Sequence, residues 1–192
     1  MIVVADSGPL HYVIQLGEAS LLPRLYSTIL IPDAVHRELT RPATPVTVSL
    51  VLQRLPKWLR LQPAQRSKLD TIPTTLGSGE REVLSLAEEL RVDLVLVDDQ
   101  AARLEARRRH LRVTGTLGIL RSAAERGMID VPSVLKNLRG TNFYFDEALL
   151  EGVFRAMIAQ INPLKSICHG TATVALHQLQ FPTCPQGRFI GH

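Results

Sequence analysis

The chain has 192 residues, 45% of them hydrophobic and 21% charged, with a formal net charge of +4 and a pI near 9.4; that is enough for one domain with a full core and is not the composition of a disordered or fibrous protein. No apolar stretch is long enough to cross a bilayer and no basic-then-apolar signal segment opens the chain, so a cytoplasmic protein without a membrane partner is expected. Cys168 and Cys184 cannot staple a core and lack the paired spacing of a zinc site, which leaves two free thiols.

In chain order, the apolar run Ile2 to Ala5 predicts a strand that stops at Asp6. "SGPLHYVIQLG" then predicts a turn and helix with Ser7 as N-cap, and "GEASLLPRLY" a second short helix. "ILIP" is another apolar strand, with Pro32 placed as the first residue of the helix "PDAVHREL". From Arg41 to Thr75 prolines loosen the pattern, leaving an amphipathic stretch at "VSLVLQRL" and a strand-like "WLRLQ". "GSGEREVLSLAEELR" predicts a helix with a glycine-rich entrance, and "DLVLV" a buried strand ending at Asp98 and Asp99. "DQAARLEARRRH" predicts a helix, "LRVTG" a short strand and "TLGILRSAAERG" a helix closed by Gly127. "VPSVLKNLR" and "DEALLEGVFRAMI" complete the helices. Apolar strands alternating with helices indicate an α/β domain built on a parallel sheet. Residues 1–160 are expected to form that domain, with 161–192 a poorly ordered or loosely attached tail that loses the helical period.

The pattern also distributes acids unevenly. Glu80 heads a helical stripe with Val83, Leu84, Ala87 and Leu90, whereas Glu82 and Glu89 fall off it and read as solvated. A first-turn acid is stabilised by the helix dipole, but that does not account for placement on the apolar face. Glu38 follows Ala34 and Val35 by four and three residues, on the inward side near a helix C-terminus, where the dipole opposes its charge. A buried carboxylate there needs a cation or an arginine. Asp6 and the Asp98/Asp99 pair end strands, and ligands in open parallel sheets bind beyond the carboxyl ends of the strands. Carboxylates gathered there repel one another unless a hard cation with oxygen ligands, Mg2+ or Mn2+, is present. Successive strand residues point to opposite faces, so Asp98 and Asp99 cannot both aim at one ion from a straight strand. Asp99 stands at a helix N-cap, and Asp98, without that structural duty, is locally the better ligand.

Other features have bland readings. "GSGE" lacks the lysine of a phosphate loop and the dinucleotide fingerprint, so it is taken as a helix entrance. His11, His36 and His110 are scattered on helices as surface or core residues, and Trp58 reads as core. The run Arg103, Arg107, Arg108, Arg109 and Arg112 is a solvated helix face unless it borders a site, in which case Arg103 and Arg107 would face nucleic acid. No nucleophile elbow supports a small-molecule hydrolase.

In this order, "VVADSGPL", "ILIPDAVHREL", "LGSGEREVLSLA", "LVLVDDQAARLEA" and "VTGTLGILRSAAERGMI" resemble the PIN-domain nucleases, which include the VapC-type toxins of toxin–antitoxin pairs, in a branch with a GxGE variant of the third acidic motif. The resemblance covers roughly the first 160 residues. It implies a PIN-like three-layer fold, a mainly parallel sheet flanked by helices. It implies an endoribonuclease that uses Mg2+ or Mn2+, with metal-binding and catalytic carboxylates on Asp6, Glu38, Glu80 and either Asp98 or Asp99. Ser7 matches the small polar residue that follows the first aspartate and contacts that carboxylate, the metal-bound water or the substrate. The partners expected are an RNA substrate and a cognate antitoxin protein, with a homodimer as an assembly to test. The competing expectation is a PIN-like module that binds RNA or protein without cleaving.

Overall fold

The computed structural model describes residues 1–65 and 69–161. The predicted tail and both cysteines lie almost wholly or wholly outside those residues. Five strands form one all-parallel sheet: β1 (Val3–Ala5), β2 (Ile29–Ile31), β3 (Leu59–Leu61), β4 (Leu94–Leu96) and β5 (Val113–Thr114), in the order β3-β2-β1-β4-β5. The chain is therefore α/β, with helices filling the connections as parallel crossovers require.

The strands are short and apolar because both faces of the sheet are covered. Val3, Val4 and Ala5 are completely buried, as are Ile29, Ile31, Val95 and Leu96. β1 is followed by α1 (Ser7–Gln15) and α2 (Leu21–Tyr26), and β2 by α3 (Asp33–Leu39) and α4 (Val46–Leu52). The long helix α5 (Ser78–Leu90) precedes β4, which leads into α6 (Gln100–Arg108). After β5 come α7 (Thr116–Glu125), α8 (Val131–Arg139) and α9 (Glu147–Ile161). α1 turns Leu10, Val13 and Ile14 inward at helical spacing, and α5 does the same with Val83, Leu84 and Ala87. Phe154 of α9 is fully buried and ties the last helix to the core. Among the described residues, no helix is long and apolar enough to cross a membrane.

The elements follow the sequence pattern closely, and two boundaries differ by one residue. Asp6, not Ser7, is the extended residue preceding α1 (φ −81°, ψ 167°), and Pro32 takes the same position before α3 (φ −76°, ψ 169°). Gly127 closes α7 with φ +62°, the left-handed conformation that glycine adopts without a Cβ penalty.

The strand order positions the site. From β1 the chain moves outward one way through β2 and β3, then returns to place β4 on the other side of β1. The seam between β1 and β4 is thus the switch point of the sheet, and at its carboxyl end the neighbouring helices diverge and leave a crevice. Ala5 pairs with Leu96, and the Asp6 amide donates to the Leu96 carbonyl at 2.8 Å. The two aspartate-ending strands therefore finish side by side.

Candidate active site

Asp6 is the centre of the crevice. It leaves β1 only 7% exposed, and its Oδ1 is buried with no hydrogen-bond partner among the described residues. Burial pushes its carboxyl up to about 7, opposed by the Ser7 and Gly8 amides and reinforced by the charges of Glu38 and Glu80. A buried acceptor without a donor is rare and calls for a proton or a cation.

Glu38 comes from the last turn of α3. Its Oε2 accepts from Ser7 Oγ at 2.8 Å, so the Ser7 hydroxyl turns toward α3 and does not cap α1. On its other side Glu38 packs against Gly79, where an added Cβ would lie 2.9 Å from Oε1. The glycine of "GSGE" is therefore more than a helix entrance; it leaves room for the acid of a neighbouring helix. α3 is itself held by α5, because Glu82 Oε2 accepts from the Ala34 amide at 2.8 Å and Glu82 Oε1 lies 3.8 Å from Arg37 Nη2. Glu82 is thus not a solvated acid. It satisfies one of the free amides at the start of α3, a duty that side chains within α3 leave open.

Glu80 lies in the first turn of α5, and its Oε2 accepts from the Gly77 amide at 2.7 Å. The first-turn acid thus binds the amide that precedes its own helix while lying near Glu38 and Asp99. Burial raises its pKa most; the Gly77 amide opposes this, and Asp99 and Glu38 add to it. Asp99 caps α6, its Oδ1 accepting from the Ala102 amide at 2.8 Å, as the sequence indicated.

Asp98 departs from its expected freedom. It accepts from the Thr116 amide at 2.7 Å and from Thr116 Oγ1 at 2.6 Å, and so holds the first turn of α7. Burial raises its pKa, against the two Thr116 donors and the charge of Arg103. Its Oδ2 would lie 3.3 Å from a Cβ at Gly8. Asp6, Glu38, Glu80 and Asp99 are linked through mutual repulsion, whereas Asp98 faces Thr116 and Arg103.

As they stand, no three acidic, histidine or cysteine groups among the described residues converge tightly enough to grip an ion. The cause is visible in the donors: Ser7 draws Glu38, Gly77 draws Glu80 and Ala102 draws Asp99. Asp6 Oδ1, by contrast, is buried without a donor among the described residues. The all-oxygen donor set fits a hard divalent cation, and a shift of the flexible glutamates toward Asp6 would complete its shell.

The surroundings are basic in places. A cleft of about 330 Å³ opens beside Ser7 and Glu38, bordered by His11, Tyr12 and Arg41. Arg103 Nη1 donates to the Val97 carbonyl at 3.0 Å beside Asp98, while Arg107 is exposed one turn further along α6. Arg109 is a structural clasp, donating to Glu105 at 2.7 Å, to Glu88 at 3.1 Å and to Thr71. Thr116, Gly79 and Glu82 were not legible as parts of the site, because each acts on a residue far away in the chain.

A family model, DUF3368, described as a PIN domain, matches residues 2–158. Among solved structures, a PilT N-terminus domain protein from the hyperthermophilic archaeon Sulfolobus solfataricus P2 is 14% identical with a TM-score of 0.43, the match covering 64% of this chain and 93% of that one. No curated protein matches this chain.

Proposed function

Since the chain belongs to the PIN-domain family, a nuclease-like family whose members generally use divalent metal ions, we propose that it is an endoribonuclease dependent on Mg2+ or Mn2+. Asp6, Glu38, Glu80 and Asp99 would hold the ion, with Asp98 bracing the neighbouring helix. The observation that carries this reading is Asp6 Oδ1, a buried acceptor with no donor, beside two further carboxylates that raise its pKa.

The ion, when bound, supplies positive charge to a phosphodiester oxygen and acidifies a water. Asp6 would anchor it from the end of β1. Ser7 fixes the Glu38 carboxylate through its hydroxyl, and Glu38, bordering the open cleft, would orient a water beside the ion. Arg103 offers its guanidinium to a neighbouring phosphate. The resemblance of the ordered motifs to VapC-type toxins supports a finer form, in which a cognate antitoxin protein restrains the nuclease.

A second reading, a PIN-like module that binds without cleaving, is favoured by the way Glu38, Glu80 and Asp99 are each engaged by a protein donor. Two measurements separate the readings. Millimolar Mn2+ should raise the melting temperature of the wild type and not of Asp6→Asn, because an ion that binds only the folded state stabilises it. RNA cleavage should vanish in EDTA and in Asp6→Asn. Cleavage that survives either treatment sinks the metal mechanism, and no thermal shift together with no cleavage leaves the binding module.

A further inference from the structure

A second cleft, of about 400 Å³, lies on the other side of the β1–β4 seam, within the size range of roughly 300–1,000 Å³ typical of small-ligand sites. Its walls differ in chemistry. One carries Asp98 and the guanidinium groups of Arg103 and Arg121, from the β4 end and helices α6 and α7. The other carries Phe143, Tyr144 and Phe145, from the segment between α8 and α9.

The aromatic wall is built, not incidental. Phe143 packs edge-on to Tyr12 of α1 with ring centres 4.7 Å apart, and Phe145 stacks on Phe143 at 6.0 Å with 26° between planes. The turn beneath is pinned by Thr141, whose hydroxyl donates to the Leu138 carbonyl at 2.7 Å and accepts from the Phe143 amide at 3.2 Å. Phe143 and Phe145 thus turn inward while Tyr144, between them, is 95% exposed. A tyrosine so exposed contributes almost nothing to burial, and it stands at the rim of a cleft that holds two arginines.

Arg121 Nε is paired with Glu125 at 2.8 Å and Arg103 Nη1 with the Val97 carbonyl at 3.0 Å; an aliphatic ligand would make no use of their remaining N–H donors, and a free phosphate would make no use of the rings. A nucleotide uses both, its base stacking on the aromatic wall and its phosphate meeting the arginines. Asp98, which lines this cleft, is the chain neighbour of Asp99 in the carboxylate cluster, so the cleft lies close to that cluster. We infer that the cleft between α7 and the 141–146 segment is a nucleobase subsite that seats a single-stranded RNA nucleotide next to the scissile phosphate and sets base preference at that position. The inference rests on the ribonuclease reading for the choice of polymer alone. A peptide of a partner protein is the competing occupant, disfavoured because it would need aromatic and acidic side chains in one short span to match both walls.

The experiment compares wild type, Tyr144→Ala, Arg121→Gln and the aromatic-preserving Tyr144→Phe on four single-stranded RNA pentamers, each uniform in one base. Equilibrium binding is measured in EDTA and cleavage in Mn2+. Tyr144 is in solvent, so neither substitution threatens folding. Tyr144→Ala should weaken binding of the preferred pentamer about tenfold and flatten the base preference, with Tyr144→Phe retaining both. Arg121→Gln should lower the salt slope of binding by about one phosphate contact. Wild type that cleaves RNA while Tyr144→Ala matches it on all four pentamers overturns the subsite and leaves the nuclease intact, pointing the aromatic wall toward a protein. Wild type that binds with a base preference lost in Tyr144→Ala, yet cleaves nothing, upholds the subsite and overturns the nuclease. No binding of any pentamer overturns the subsite.

Discussion

Asp98 and Thr116 are joined by two hydrogen bonds, the carboxylate accepting from the threonine amide at 2.7 Å and from its hydroxyl at 2.6 Å. This pairing fixes the start of α7 to the end of β4 and occupies both Asp98 oxygens. Asp99, one residue on, gives one oxygen to its helix and carries a charge that acts on Glu80.

The two aspartates should therefore fail differently. Asp98→Ala should lower the stability of the metal-free protein by about 2–3 kcal/mol, since hydrogen bonds to a charged group are lost and the donors of the buried Thr116 are left open. Asp99→Ala should lower it by about 1 kcal/mol, the usual loss of a cap, and should also reduce the thermal shift produced by Mn2+. Melting curves with and without Mn2+ check both. An Asp98 variant of normal stability but without the metal shift would transfer the ligand role to Asp98.

Asp6 makes the metal-free fold sensitive to pH. Its carboxyl titrates near 3.8 when unfolded and near 7 when folded, so the folded state holds the extra proton between those values. The associated stability is fully present below about pH 4 and is lost as pH rises through about 7. Glu80 and Asp98, also raised, act in the same direction. Urea unfolding in EDTA should show stability falling from pH 5 to pH 8. Asp6→Asn should flatten much of that slope and exceed wild type at pH 8. A slope unchanged by the substitution would remove Asp6 as its source.

Gly79→Ala should separate folding from function. The new methyl group would sit 2.9 Å from Glu38 Oε1, too close to be tolerated without a shift, and the flexible end of Glu38 can move. Alanine also favours the helix by up to about 1 kcal/mol over glycine. The expected variant melts at or slightly above the wild-type temperature, yet loses its Mn2+ shift. An unaltered metal response would show that Glu38 is not needed in its present place.

The arginine run should divide by position. Arg103→Ala with Arg107→Ala should weaken RNA binding and lower its salt slope by nearly two contacts, with a modest change in stability. Arg109→Ala should lower stability by about 2 kcal/mol, because it leaves Glu105 and Glu88 without their clasp, and should leave the salt slope alone. Filter binding across a salt series, paired with urea unfolding, distinguishes the two.

What the sequence revealed follows the range of the interactions involved. The strands and helices were legible because the apolar period is local, and Glu38 and Glu80 were recognisable from their places on apolar helix faces. The duty of Asp98 was hidden, because its donors sit on Thr116 across an intervening helix and strand. Glu82 read as solvated for the same reason: its partner, the Ala34 amide, lies on a different helix. Gly79 has the local pattern of a helix entrance, and its other duty, room for the Glu38 carboxylate, depends on a residue of another helix. In each case one half of a contact is an ordinary residue whose importance lies in a distant other half.

The seam between β1 and β4 also governs when the site comes into being. Asp6 and Leu96, bonded across it, are separated by nearly half the chain. During synthesis β1 and β2 can pair early, but one edge of β1 stays open until β4 has been made, and the long loop must then close. Glu38 can approach Asp6 before that moment; Asp99 cannot, and Glu80 reaches the crevice on the helix that immediately precedes β4. The carboxylate cluster therefore depends on the long-range docking of β4, so a chain stalled before β4 carries Asp6 and Glu38 without Asp99.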